Sequence, residues 1–206
     1  SGEYYGGSIN FGHAFGVEDF KVSKGSNDIY LTKINSEGAY EWTRVFGGWS
    51  YDSLTAIKTD GSGNIYLGGT FNYEVNFGED FGVEDYKTSY GDNDIFITRI
   101  NSDGSYGWTK VIGGYSDNDS ISDLEVDKKG NLYLSGRFNE VVNFGEDFGK
   151  NVAKMSRGET DVFLLKIHSD GTYGWTATWG NDGDADGYNI NEPTEQLTIG
   201  PDGRLF

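Results

Sequence analysis

Asn76-Phe77-Gly78-Glu79-Asp80-Phe81-Gly82 returns unchanged as Asn143 to Gly149, 67 positions later, and a cousin, Asn10-Phe11-Gly12-His13-Ala14-Phe15-Gly16, stands 66 positions earlier. The neighbouring landmarks keep the same step. Asp28, Asp94 and Asp161 each open an apolar run, Trp42, Trp108 and Trp175 each follow a Gly turn, and Gly47, Gly113 and Gly180 close the units. Self-similarity at such a period marks a repeat architecture, in which no single unit buries its own apolar face and neighbours must stack to do so. The repeats measure 66, 67 and 73 residues, the last carrying a six-residue acidic insertion between Gly180 and Gly203.

Working outward, the middle copy reads as strands. Ile65 to Phe71 alternates between turn formers; Asp94 to Ile100 is rich in β-branched and aromatic residues. Asn101-Ser102-Asp103-Gly104 is a turn, Tyr106 to Ile112 a further strand carrying Trp108, and Ser120 to Val126 alternates polar and apolar. Asp127-Lys128-Lys129-Gly130-Asn131 turns the chain into Asn131 to Phe138. Residues 72–91 are too long for a simple hairpin connection and hold Phe77, Phe81 and Tyr86, which predicts an ordered loop or an extra strand pair packed on the unit. No window sustains a helical apolar period. The expected fold is therefore all-β, a β-propeller of four-stranded antiparallel blades. Its limits are residues 1–63, 64–130 and 131–203, with 204–206 opening a further strand.

Aligned on the repeat, Ser1 falls opposite Leu67 and Phe206 opposite Tyr133, so the tail stops in the strand that the head resumes. Propellers use about four to eight blades. Three arrangements are open: a portion of a longer array, a unit joining further copies in a six-bladed or open assembly, or a ring closed on itself.

Composition narrows the partners. Thirty-three acidic residues against sixteen basic ones leave a net charge of −17, spread over all three repeats, which disfavours nucleic acid and anionic lipid. Protein partners, further copies of the chain and glycans remain. Zero cysteines exclude disulfides, thiol nucleophiles and thiolate metal sites, and no apolar run is long enough for membrane insertion. The first residues have no export-signal pattern, so any such signal lies outside this chain.

The units resemble the bacterial SBBP-type (seven-bladed beta-propeller) repeats, in a long-repeat branch with the Asn-Phe-Gly insertion. The resemblance rests on Asp127-x-x-Gly130-Asn131-x-Tyr133-x-x-Gly136, Asp161-x-Phe163-x-x-Lys166-Ile167 and Ser169-x-Gly171-x-x-x-Trp175. It implies an extracellular or cell-surface setting and a non-catalytic scaffold for protein or assembly interactions, since one fold hosts many roles. The Gly-then-Trp arrangement also resembles quinone-dependent propeller enzymes, where the indole docks neighbouring blades; a fragment of a quinone-dependent or glycoside-processing enzyme is the catalytic alternative.

Two constellations carry chemistry. Asp182, Asp184 and Asp186, followed by Gly187, repeat carboxylates at alternate positions with a glycine for the sharp turn, the pattern with which a short loop wraps Ca²⁺. The pattern departs from an EF-hand, because Pro193 stands where a bidentate acid is needed. Trp49 and Tyr115 follow Gly-Gly at equivalent positions, with Asp52 and Asn118 as hydroxyl partners. They are the candidate stacking residues of a carbohydrate-binding, lectin-like alternative, against burial on the next blade. His13 and His168 have no motif around them and are expected at the surface.

Overall fold

The structure, a computed structural model, describes residues 1–115, 119–180 and 196–206. Its strands are β1 (Gly2–Tyr5), β2 (Ser8–Asn10), β3 (Phe20–Val22), β4 (Asn27–Ile34), β5 (Tyr40–Phe46), β6 (Ser53–Thr59), β7 (Ile65–Phe71), β8 (Glu74–Asn76) and β9 (Tyr86–Thr88). They continue as β10 (Asp94–Ile100), β11 (Tyr106–Ile112), β12 (Ser120–Val126), β13 (Leu132–Phe138), β14 (Val141–Asn143), β15 (Ala153–Met155), β16 (Asp161–Ile167) and β17 (Tyr173–Trp179). Among the described residues the only helical turns are three short 3-10 turns, one in each copy of the Asn-Phe-Gly signature. The strands expected from alternation in the middle repeat are all present.

The sheets are antiparallel. A middle sheet has the order β6-β7-β10-β11, a last sheet β12-β13-β16-β17, and a first sheet β1-β4-β5. Strand Ser120–Val126 pairs with Leu132–Phe138, across the boundary drawn at residue 130. The unit 64–130 is thus divided between two sheets, because the tight Asp127–Asn131 turn makes a hairpin of the strands on either side of it. Segment 72–91 forms the extra strand pair β8-β9, as β2-β3 and β14-β15 do in the other copies.

Sheets stack face to face, and the middle one is buried on both faces. In β10, Ile95 and Ile97 enter one cluster with Tyr66, Ile121, Leu124 and Leu134, while Phe96 and Ile100 enter a second with Ile29, Leu31, Phe46, Leu67 and Phe71. The period of two sends successive side chains to opposite cores, which is why the strand reads as a continuous apolar run. Trp42 and Trp108 close the junctions: a Cβ on Gly104 would sit 3.5 Å from Trp42 Nε1, and one on Gly171 2.9 Å from Trp108 Nε1. Each half-buried indole thus rests on the Gly turn of the following repeat. Both histidines are exposed.

The repeated signature is a staple between repeats. Asn76 Oδ1 accepts from the amides of Gly78 and Asp85, folding the hairpin, and Phe77 packs on Phe96. Asp80 then reaches back, its carboxylate accepting from Val45 N–H on strand β5 of the preceding repeat at 2.8 Å; Asp147 does the same for Val111 on β11 at 2.9 Å. An edge strand that would otherwise present an open amide is satisfied by the next unit.

Candidate functional site

A groove of about 620 Å³ opens where the first and middle sheets meet. It is walled by Tyr5 at the end of β1, Lys24 to Ser26 before β4, Trp49 to Tyr51 between β5 and β6, Asn72 and Tyr73 after β7, and Asp92 before β10. Glycines set the close approaches beneath it. A Cβ on Gly25 would strike the backbone of Gly48 and Trp49, and one on Gly47 the Asp28 carboxylate. With the main chains pressed together at the floor, the Trp49 side chain projects outward, 76 % exposed, against Tyr73 in an edge contact of 6.0 Å. Tyr5, Tyr51 and Tyr73 are exposed as well.

Tyr73 has a backbone φ of 64°, in the left-handed region, where the first repeat has Gly7 at φ 77° and the third has Glu140 at φ 54°. A bulky residue there is uncommon and costs about 1–2 kcal/mol relative to glycine. It is held by Ser89, whose Oγ accepts from Tyr73 N–H and whose own amide donates to Tyr73 O, both at 3.0 Å. The same clamp, Ser156 on Glu140, holds the equivalent turn of the third repeat, so the left-handed turn belongs to the repeat and the exposed ring is what Tyr73 adds at the mouth of the groove.

The polar groups are few. Lys24 is ion-paired with Glu79 at 2.7 Å, and Asn72, Ser26, Ser50 and Asp92 supply hydrogen-bonding capacity. Beneath the floor lies Asp52, 1 % exposed, with Gly48 N–H donating to its Oδ2 at 2.8 Å. Burial foremost, with the neighbouring Asp28 charge adding, pushes its carboxyl up to about 7. Asp94 and Asp119 form the equivalent set at the next junction, raised by burial to about 6 and about 7.

Of the residues expected to bind ligand, Trp49 lines the groove. Tyr115 is 87 % exposed but is not among its walls; it marks the next junction, where Glu140 stands in place of Tyr73. Neither aromatic is buried on a neighbouring unit, so the packing alternative for both is corrected. Asp52 lies beneath the floor, buried, with its carboxylate turned inward to the Gly48 amide. Asn118, and Asp182, Asp184 and Asp186 of the calcium loop, lie outside the described residues. Among the described residues no three acidic or histidine side chains group as a metal site. Sequence reasoning missed Tyr5, Tyr51, Asn72, Tyr73 and Asp92. The available signal was Tyr73, an aromatic aligned with a turn glycine of the first copy. No protein-family model matches the chain, and no curated protein matches it.

Proposed function

We propose that the chain is a non-catalytic, propeller-type recognition module of an extracellular or cell-surface protein, and that its aromatic groove binds a neutral glycan. The observation that carries this reading is the pairing of exposed Trp49 with strained Tyr73 in a groove of ligand size, alongside Tyr5 and Tyr51. The apolar C–H faces of sugar rings stack on aromatic faces, while hydroxyls exchange hydrogen bonds with a few polar groups, here Asn72, Ser26 and Ser50, and donate to Asp92. A chain of net charge −17, with the groove lysine already paired, favours neutral over anionic sugars. Stacked four-stranded sheets support the propeller arrangement, each blade beginning at β6 or β12, with the groove between adjacent blades.

A glycan array probed with the whole chain, followed by a turnover assay on any sugar retained, tests the proposal. Retention of neutral oligosaccharides without hydrolysis or oxidation is expected, with at least a tenfold loss in Trp49→Ala, about 1.4 kcal/mol. Turnover of a retained sugar would return the enzyme alternative.

One observation favours the protein scaffold as a second reading. The outer hairpins expose Phe20, Val22, Tyr86 and Met155, apolar side chains suited to a protein partner. Capture of protein with no glycan retained would favour it.

A further inference from the structure

We infer that molecules of this chain associate head to tail, the last sheet of one stacking on the first sheet of the next as the sheets stack within one molecule. The inner junctions define what such a contact requires, because the repeat step assigns each residue a counterpart. Phe46 and Ile112, at the ends of β5 and β11, are buried against the following repeat, and the Phe46 ring lies 6.0 Å from that of Phe81. Their counterpart on β17 is Trp179, 56 % exposed, and the counterpart of Phe81 in the first repeat is Phe15, exposed as well. Trp42 and Trp108 rest on Gly104 and Gly171, whereas the indole of Trp175 is exposed and Gly38, the matching glycine of the first repeat, has nothing within 4 Å of its Cβ position. Ile100 and Ile167 are fully buried; their counterpart Ile34 is 47 % exposed.

The first sheet is also a strand short. β6 and β12 give the other two sheets their fourth strand, while β1 pairs with Asn27 to Tyr30 of β4 alone, and among the described residues nothing pairs with 31–34 on that side. A strand that fits this edge lies at the opposite end of the stack. Thr198 and Phe206 exchange backbone hydrogen bonds at 3.0 Å and Ile199 bridges Leu205, the register in which Glu125 faces Tyr133 and Val126 faces Leu132. This hairpin sits on the last sheet, Leu197 N–H donating to Asp123 Oδ2 at 2.9 Å. Tyr133 and Leu132 go on to pair with Lys166 and Ile167, so the same register sets Phe206 and Leu205 opposite Lys33 and Ile34 of the next molecule. Phe206 is 70 % exposed where Tyr133 is buried. The Tyr133 ring has Lys166 Nζ at 5.3 Å and the Trp175 ring at 6.4 Å, and Lys33 with Trp42 are placed to take Phe206 in the same way.

Repeat stacks that stay apart end in polar outer faces. Here the outermost faces carry Phe15, Ile34, Trp175 and Trp179, and an unpaired strand edge is a template for a further strand. Because the two faces differ, the contact is heterologous and propagates into a ring or a row. It lacks one bond of the inner junctions, since Ala14 stands where Asp80 and Asp147 cap Val45 and Val111, so it is weaker than the stacking within a molecule. The glycan reading plays no part in it.

Sedimentation velocity of the chain across a concentration series, in salt that screens the charge of −17, tests the inference. The wild type should sediment as multiples of 22.7 kDa, in proportions that rise with concentration. Trp179→Asp breaks the last-sheet face and Ile34→Asp the first-sheet face; both side chains are exposed, so each variant should fold and remain at 22.7 kDa. An equimolar mixture of the two should give a dimer and nothing larger, since each supplies the face the other lacks. Val22→Asp, at an exposed site on an outer hairpin, should assemble as the wild type does. A wild type that stays monomeric at every concentration overturns the inference, as do single variants that still assemble, a mixture that does not pair, or loss of assembly in Val22→Asp. If either Trp179→Asp or Ile34→Asp fails to fold, hydrogen exchange of the wild type decides: protection of residues 31–34 that grows with concentration supports it, and protection independent of concentration overturns it.

Discussion

Tyr73 holds a left-handed backbone that its counterpart Gly7 adopts freely, and beside it Gly47 lies where no side chain fits. These two positions separate stability from binding. Tyr73→Gly relieves the strain, so the melting midpoint should be unchanged or raised by a few degrees while glycan retention falls; calorimetric melts and the array measure the two together. Gly47→Ala drives a Cβ into the Asp28 carboxylate and should lower stability by about 2 kcal/mol or more, seen as an earlier urea midpoint with unchanged slope. Gly61, with open space around it, is the control: Gly61→Ala should leave the midpoint within about 0.5 kcal/mol of wild type.

At the scale of the element, the Asn-Phe-Gly hairpin has its meaning in what it caps. Asp147→Ala removes the acceptor of Val111 N–H at the edge of β11, and a buried donor left unsatisfied costs about 1–3 kcal/mol. Faster hydrogen exchange at the Val111 amide, with core amides of β10 unchanged, is the expected readout; protection equal to wild type would assign the staple to Phe148 packing alone. The strands of the middle repeat were legible because apolar residues alternate between turns, and 72–91 because aromatics in a long connection imply packing. The pairing of Ser120–Val126 was less so: a 67-residue period says how far the pattern steps, not where one sheet ends and the next begins. Asp80 was invisible as a cap, since an acid in a Gly-rich turn looks the same whether it meets water or a strand edge 35 residues away. The calcium proposal for Asp182, Asp184 and Asp186 is tested separately: Ca²⁺ but not Mg²⁺ should raise the midpoint, by about 2.7 kcal/mol at a hundred times Kd, and Asp184→Asn should abolish the rise.

Over the whole molecule, stacking produces both the cores and the groove. Each junction buries alternate side chains of two sheets and brings the loops at their ends together above a buried acid pair. The first junction adds the rings of Tyr5, Trp49, Tyr51 and Tyr73; the second has Tyr115, with Phe71 buried in place of Tyr5 and Glu140 in place of Tyr73. This explains how much of the site could be read in advance. Trp49 stood out as an aromatic after two glycines, but its companions come from four other segments as well as its own, and only the stacking of sheets gathers them. Titration calorimetry of the whole chain with a neutral oligosaccharide retained on the array, run in parallel on Trp49→Ala and Tyr115→Ala, tests the central claim most directly. The account predicts saturable heat in the wild type and in Tyr115→Ala, with at least a tenfold weaker Kd in Trp49→Ala; equal affinity in all three, with each variant folded, would contradict it.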